Sequence, residues 1–305
     1  MRPMQLDRTA IGFIGAGRLG KALAWQFAAS GLRVAAVASR RASEAEATAA
    51  RIEGCRALDA QALGDCCDLV FITTPDAAIR ATVDALRWRP GCAVVHCSGA
   101  TEVAELGHAA RQGAHVGGFH PLQTFGDPEA AARSLPGCTV TIEAGEPLDA
   151  LLLALAERLG CPVNRLPPGT RGLYHAAAGY ASQFINVMVS EAALMWRTWG
   201  ASEEDAVRAM LPMVRGTLAS IAQAGLAPGM PGPVSRGDLP SVGKHVQALG
   251  EQAPGALPLY RELCERTVRL ALEGGRIDGG KAAAIRAVLA DADTEPGAMA
   301  TRTPA

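Results

Sequence analysis

The sequence of 305 residues has few aromatic residues, no excess of basic charge and no long apolar run. Phe, Trp and Tyr make up 4% of the chain, and 29 Lys and Arg residues stand against 30 Asp and Glu residues. Nucleic-acid binding requires a basic surface, and single-strand binding also uses aromatic stacking. Apolar segments end before the ~18 residues that a membrane helix needs. We expect a soluble cytoplasmic protein without a signal peptide, a nucleic-acid partner or a membrane partner.

Eight cysteines and six histidines are scattered without the spacing of a metal site. No two cysteines form a C-x-x-C pair, and no two histidines form an H-x-x-x-H pair. Cys66 and Cys67 are adjacent, which is poor geometry for a bridge or a shared metal. We therefore expect reduced cysteines in an alanine-rich interior and no metal.

The first half of the chain alternates short apolar runs with alanine-rich helical patterns. Each run is apolar on both faces, which is typical of parallel strands covered by helices on both sides. Leu19–Ser30 fits a helix that ends near Gly31. The sequence predicts an α/β fold with a doubly wound, Rossmann-like parallel sheet, whose strands are Ile11–Ile14, Val34–Ala38, Leu69–Thr73, Ala93–Cys97, His115–Gly118 and Thr139–Ile142.

The second half changes to longer helical patterns. Residues 170–199 contain no proline and are apolar nearly all round, so we expect one helix from Thr170 to Trp199 as the buried axis of an all-helical domain. Residues 226–241 are rich in proline and glycine, which indicates an ordered loop or a lid. The predicted division is 1–166 for the nucleotide-binding domain, 167–290 for the helical domain and 291–305 for a disordered tail.

A glycine-rich loop follows the first predicted strand and opens the first predicted helix. In that context the G-x-G-x-x-G spacing indicates a dinucleotide site. Gly15 permits the tight turn, Gly17 lets the backbone approach a pyrophosphate, and Gly20 allows the helix to pack closely on the sheet. The residues expected to bind a cofactor here are Gly15, Ala16, Gly17, Arg18, Leu19 and Gly20.

The end of the second predicted strand selects the nucleotide. NAD sites usually place an acidic residue there, whereas this chain has Ser39, Arg40 and Arg41. A hydroxyl and a guanidinium group suit a 2′-phosphate, so the sequence favours NADP(H). The alternative is that both arginines are solvated residues that open the next helix.

Two later strand ends should line the same crevice. Thr74 and Pro75 are expected on the adenine-ribose side, and Ser98 and Gly99 on the nicotinamide side. Ordinary turn chemistry remains an alternative for each of these residues.

Three sequence strings resemble one bacterial group. Residues 118–125 read GFHPLQTF, residues 174–178 read YHAAA, and residues 232–238 read GPVSRGD. They resemble Rossmann-like proteins joined to a C-terminal domain of unknown function, number 2520. That group is similar in architecture to pyrroline-5-carboxylate reductase, ketopantoate reductase and the 6-phosphogluconate and β-hydroxyacid dehydrogenases.

The resemblance implies a helical domain of the 6-phosphogluconate dehydrogenase C-terminal type, an active-site cleft and often a dimer. It implies no particular substrate. Arg171 occupies a place where Lys is more usual, and Gln183 a place where Asn is more usual. Both departures put a proton-transfer role of that helix in doubt.

Two histidines are the candidate catalytic residues. His120 lies just past a predicted strand end, and its imidazole, titrating near neutral pH, could protonate a carbonyl or imine. His175 is the second candidate, on a polar stripe of the predicted long helix. The alternative for His120 is a packing role. The predicted substrate-binding residues are Gln123, Arg171, Gln183 and Arg236. The alternative role is turn capping for Gln123, an interhelical polar network for Arg171 and Gln183, and a surface ion pair for Arg236.

The sequence thus predicts an NADP-dependent oxidoreductase that reduces a C=O or C=N bond of a small polar substrate. The alternative is a non-catalytic NADP(H)-binding sensor or regulatory protein, because the glycine loop would bind cofactor in both. The predicted long helix carries more apolar surface than the later helices can cover, so we expect a homodimer.

Overall fold

The chain divides into two compact units, Met1–Ser182 and Gln183–Ala305. The computed structural model describes residues 5–290 of it, and the predicted tail at 291–305 lies outside these residues. Within the described part, no helix is both long and apolar enough to span a membrane. The division falls after residue 182 rather than at the predicted 166, because the segment 171–180 is anchored to the sheet of the first unit by Arg171 and Tyr174.

The first unit contains an eight-stranded sheet in the order β3-β2-β1-β4-β5-β6-β7-β8, which confirms the predicted α/β fold. β7 is antiparallel to β6, and all other neighbours are parallel. The strands are β1 (Ile11–Ile14), β2 (Val34–Ala38), β3 (Arg56–Ala57), β4 (Leu69–Ile72), β5 (Ala93–His96), β6 (His115–Pro121), β7 (Val140–Ala144) and β8 (Val163–Arg165).

Helices cover this sheet, and four phenylalanines interlock in the core beneath them. Ring centroids of Phe13, Phe27, Phe71 and Phe119 lie 5.3–6.3 Å apart in stacked and edge-on pairs, which adds specific geometry to the burial of apolar area. The helices are α1 (Arg18–Ala29), α2 (Ala42–Ala49), α3 (Ala60–Cys66), α4 (Ile79–Asp84), α5 (Gly107–Arg111), α6 (Pro128–Arg133), α7 (Leu148–Arg158) and α8 (Arg171–Tyr180).

The sixth strand is longer than the sequence predicts. β6 continues past Gly118 to Pro121, because β7 pairs with it and holds His120 opposite Thr141. His120 therefore lies within a strand and not just beyond its end. The short β3 was not predicted, since its two residues are exposed and carry no apolar pattern.

The single long helix predicted for residues 170–199 is wrong. α8 ends at Tyr180, and a new helix begins at Gln183. The hydroxyl of Ser182 donates to the carbonyl of Ala178, and the amide of Ser182 donates to the carbonyl of Gly179. Such side-chain bonding and three-residue turns tighten and end a helix. The prediction that this segment is the buried axis of a helical domain is wrong as well, because Arg171 is the one buried residue of α8.

In the part of the second unit that the structure describes, the regular elements are all helices, and a loop joins two of them. Hydrogen bonds tie down the loop over residues 226–238: the buried Ser235 hydroxyl donates to the carbonyl of Gly232, and Arg276 donates to the carbonyl of Pro228. Asp238 caps the helix that follows. The helices are α9 (Gln183–Trp196), α10 (Glu203–Ala224), α11 (Leu239–Gln252), α12 (Leu257–Glu273) and α13 (Gly279–Ala290).

Candidate active site

The glycine loop between β1 and α1 has the backbone that the sequence requires. Gly15 has a φ of 120°, and a Cβ placed there would lie 2.6 Å from the carbonyl group of Thr73. A Cβ on Gly20 would overlap the carbonyl oxygen of Gly15. Gly17 is different, because a Cβ there would meet open space. Two glycines thus serve close packing, and the third leaves the N-terminus of α1 accessible.

Thr73 holds this loop in place, a role that the sequence did not reveal. Its hydroxyl donates to the carbonyl of Gly15 at 2.7 Å. The neighbouring Thr74 hydroxyl is buried and has no hydrogen-bond partner within residues 5–290. A buried hydroxyl without a partner is costly unless a ligand or water satisfies it. Thr74 therefore remains a candidate ligand-binding residue, with the exposed Pro75 beside it.

The candidates after β2 differ in their partners. Arg41 precedes α2 and lies 3.5 Å from a carboxylate oxygen of Glu44, which also binds Lys21. Arg40 is exposed and forms no ion pair with any residue that the structure describes, and Ser39 is half-buried beside it. Arg40 is thus the more available of the two guanidinium groups for a phosphate.

The two candidate catalytic histidines meet at Gly99. A Cβ placed on Gly99 would lie 2.5 Å from His175 Nδ1 and 2.9 Å from His120 Nε2. The two imidazole rings are 6.1 Å apart and nearly perpendicular. Only a glycine at this position lets both rings reach the end of β5, so the structure brings together three of the predicted site residues.

This meeting point lies on the same edge of the sheet as the glycine loop. The carboxyl ends of β2, β1, β4, β5 and β6 follow one another along that edge. They carry, in order, Arg40, the glycine loop, Thr74, Gly99 and His120. Strands are spaced by about 4.8 Å, so the row from β2 to β5 extends about 14 Å. An extended dinucleotide is bound across such an edge in doubly wound folds.

His120 does not titrate near neutral pH, which corrects the sequence-based expectation. Burial, electrostatic repulsion from His175 and the charge of Arg171 lower the pKa of His120 to about 4. The imidazole is therefore neutral at pH 7. Its Nδ1 is 2.7 Å from the hydroxyl of Tyr174, which in turn accepts a hydrogen bond from Thr141.

Arg171 anchors α8 to the sheet from a buried position, and its Nη2 has no hydrogen-bond partner among the described residues. Its side chain is fully buried; Nε donates to Glu143 at 2.6 Å and Nη1 donates to the carbonyl of Ser98 at 2.8 Å. A Cβ on Gly118 would overlap its guanidinium group, so the glycine makes room for it. Burial and the Arg171 charge lower the pKa of His96 nearby to about 3. These contacts fix α8 on the sheet and thereby position His175.

The other predicted substrate ligands either make local contacts in the first unit or belong to the second unit. The amide of Gln123 bonds to Ser134 and to the backbone of Thr124, which is the turn-capping alternative. Gln183 and Arg236 belong to the second unit and are exposed. Ser98, which was predicted to lie on the nicotinamide side of the cofactor, uses its hydroxyl to accept hydrogen bonds from the backbone amides of Ala100 and Thr101.

The fold and the glycine loop define a Rossmann-like protein. Residues 2–121 match the model of the Rossmann-like domain, and residues 138–267 match the Domain of unknown function (DUF2520). The chain thus carries both domains in this order, which confirms the resemblance drawn from its motifs. The second match begins ahead of β7, so it includes strands and α8 of the first unit.

Several solved structures share the fold. A Thermotoga maritima protein is 21% identical, with 88% of this chain and 100% of that chain covered and a TM-score of 0.71. A reductive aminase from Aspergillus terreus in complex with NADPH and ethyl-5-oxohexanoate is 20% identical, with coverage of 86% and 94% and a TM-score of 0.60. The pyrroline carboxylate reductase of Plasmodium falciparum with NADP bound is 11% identical, with coverage of 93% and 99% and a TM-score of 0.57. The search of curated protein sequences finds no match to this chain.

Proposed function

We propose that the protein is an NADP(H)-dependent oxidoreductase that reduces a C=O or C=N bond of a small polar substrate. The observation that carries the proposal is the convergence of His120 and His175 on Gly99, on the sheet edge that also carries the glycine loop. Similarity in fold to a reductive aminase with NADPH and to a pyrroline carboxylate reductase with NADP supports it. The free cysteine thiols fit the reducing conditions of the cytoplasm, where we propose that it acts.

The residues of the first unit fit the cofactor. Open space at Gly17 and the N-terminus of α1, which has no side-chain cap, suit a pyrophosphate. The buried hydroxyl of Thr74 offers a hydrogen bond that no described residue takes up. Arg40 offers a charge-assisted contact to a 2′-phosphate. When bound, the nicotinamide group supplies a hydride to the substrate carbon.

The histidines would stabilise the other half of the polarised bond. Negative charge develops on the substrate oxygen or nitrogen during reduction, and a preorganised hydrogen-bond donor lowers the energy of that state. Neutral His120, whose pKa is about 4, is suited to donate a hydrogen bond rather than to act as an imidazolium acid. His175 is exposed at the same point and is the candidate for exchange of protons with solvent.

The cofactor preference gives the first test. We expect NADPH to bind more tightly than NADH by about 1–3 kcal/mol, because the 2′-phosphate gains a charge-assisted contact with Arg40. Arg40→Asp should shift the preference towards NADH, whereas Arg41→Ala should have a smaller effect because Arg41 already lies near Glu44. Calorimetric titrations measure both. Equal affinity of the unchanged protein for NADH and NADPH would refute the choice of nucleotide.

The reaction itself is tested by oxidation of NADPH in the presence of carbonyl compounds, alone and mixed with amines. We expect a subset of the compounds to be reduced with one NADPH consumed for each product formed. Tight binding of NADPH without turnover of any compound would favour the sensor instead.

We further propose that two copies associate through the second unit. α9 and α10 pack on each other around Ala193, Ala206 and Met210, yet large apolar side chains on both helices are exposed. Exposed apolar patches beyond a few hundred Å² usually mark interfaces, and a second copy would cover one. We expect light scattering at micromolar concentration to give the mass of a dimer for the unchanged protein. The double variant Met213→Glu, Leu218→Glu should give the mass of a monomer. A monomeric unchanged protein would contradict the proposal. The exposed side chains are Phe184, Val187, Met188, Leu194, Leu211, Met213 and Leu218.

A further inference from the structure

A row of polar side chains crosses three neighbouring strands behind His120. The strand register places His120 of β6 opposite Thr141 of β7, and Thr141 opposite Asn164 of β8. Residues directly opposite one another in a sheet point to the same face. Tyr174 of α8 contacts this row, with its ring 5.5 Å from the His120 ring and perpendicular to it.

The hydrogen bonds in this row have a definite direction. The side-chain amide of Asn164 donates to Thr141 Oγ1 at 3.2 Å, and the Thr141 hydroxyl donates to Tyr174 Oη at 2.9 Å. Each hydroxyl has one hydrogen to donate. The hydrogen of Tyr174 is therefore left for His120 Nδ1, which lies 2.7 Å away.

We propose that Tyr174 is a positioning residue that holds His120 in the tautomer protonated on Nε2. A neutral imidazole whose Nδ1 accepts a hydrogen bond must carry its proton on the other nitrogen. Nε2 is also the nitrogen that faces the space over Gly99, where the two histidines meet. The hydrogen-bond donor of His120 is thus directed at the candidate substrate position.

The surroundings of both rings favour this arrangement. Burial and the nearby positive charges lower the pKa of His120 to about 4, so its neutral form is the one present at pH 7. Burial raises the pKa of Tyr174 above its usual value, so the phenol keeps the hydrogen that it donates. Thr141 is fully buried, so water does not compete for its hydroxyl.

Nitrogen NMR of the full chain with ¹⁵N-labelled histidine tests the tautomer directly. The His120 signals are assigned by their loss in His120→Asn. In the unchanged protein we expect an Nδ1 signal of the unprotonated type and an Nε2 signal of the protonated type. In Tyr174→Phe we expect the two signals to move towards each other, as both tautomers become populated. Tyr180→Phe, on the same helix but largely exposed, is the matched control and should leave both signals unchanged.

A second pair of variants separates hydrogen bonding from packing. Thr141→Val removes the hydroxyl at similar size and should shift the His120 signals in the same direction as Tyr174→Phe, by a smaller amount. Thr141→Ser keeps the hydroxyl and should preserve the signals of the unchanged protein. This comparison does not depend on whether Tyr174→Phe folds normally.

The kinetic part of the inference rests on the proposed function, whereas the NMR part does not. With a substrate in hand, Tyr174→Phe should lower kcat at least about tenfold, because loss of the group that fixes a catalytic tautomer weakens the reaction, while NADPH affinity stays within about twofold. A protonated Nδ1 in the unchanged protein, or His120 signals that Tyr174→Phe leaves in place, would overturn the inference. If the signals shift but no compound is reduced, the positioning role stands and the proposed function fails.

Discussion

Replacing His120 by alanine should lower kcat by about 10²- to 10³-fold, the usual loss when one preorganised donor to a developing negative charge is removed. NADPH affinity should change little, because the glycine loop and Arg40 are the residues proposed to bind the cofactor. The loss should therefore appear in kcat and kcat/KM together. Steady-state kinetics measures the loss of kcat, with any carbonyl compound or carbonyl–amine mixture that the unchanged protein reduces.

The control for this substitution lies on the same strand. His115→Ala changes the opposite end of β6, away from Gly99, and should leave kcat within about twofold. His120→Asn keeps a side chain of similar polarity and should also be slow. Full turnover of both His120 variants would assign His120 a packing role and make His175 the remaining candidate.

The pH dependence distinguishes two roles of His120. With a pKa of about 4 in the folded protein, His120 is neutral from pH 6 to pH 8, so its own titration should cause no inflection of kcat/KM in that interval. An imidazolium acid with the ordinary pKa of ~6.5 would instead lose activity as the pH rises through that value. An inflection that His120→Asn abolishes would contradict the role of a neutral donor.

Glu143→Gln should destabilise the protein by about 3–5 kcal/mol, because it leaves the guanidinium group of Arg171 buried without its counter-charge. Arg171 is fully buried, and Glu143 is 13% exposed, so water compensates little. Denaturant unfolding measures the loss, and the effect is expected even if the protein has no enzymatic activity.

A surface pair of the same type is the matched control for Glu143. Glu129 binds Arg51 at 2.8 Å, but both side chains are about half exposed. Glu129→Gln should therefore cost less than about 1 kcal/mol. The double variant Glu143→Leu, Arg171→Met should recover much of the stability lost in Glu143→Gln, since no unpaired buried charge remains. Equal losses for Glu143→Gln and Glu129→Gln would show that the buried pair is not an anchor.

Features encoded within a few consecutive residues were predictable. The strands β1 and β2 have the predicted bounds, and the glycine loop has the predicted backbone at Gly15 and Gly20. These features follow from apolar runs and from steric limits that a local sequence pattern expresses directly. The candidate site at Gly99 was also foreseen in part, because the ends of parallel strands meet at one edge of a sheet.

Features that depend on distant partners were not predictable. The internal contacts of Arg171 were not predictable, since nothing near it in sequence shows that Glu143 and the carbonyl of Ser98 would accept its hydrogen bonds. The contacts of Tyr174 and Thr141 with His120 were not predictable for the same reason, because they depend on the register of β7 against β6. The break at Ser182 was missed because a serine within an alanine-rich helical pattern only occasionally ends a helix.

The most direct measurement of the central claim is transfer of deuterium from NADPH that carries deuterium at both hydrogen positions of the reactive nicotinamide carbon. The protein is incubated with this cofactor and with the carbonyl and amine panel, and the products are analysed by mass spectrometry. The account predicts that the unchanged protein forms a product that carries one deuterium. His120→Ala should form the same product at a rate about 10²- to 10³-fold lower. Label that stays on the bound cofactor with every compound, while NADPH binds tightly, would contradict the account.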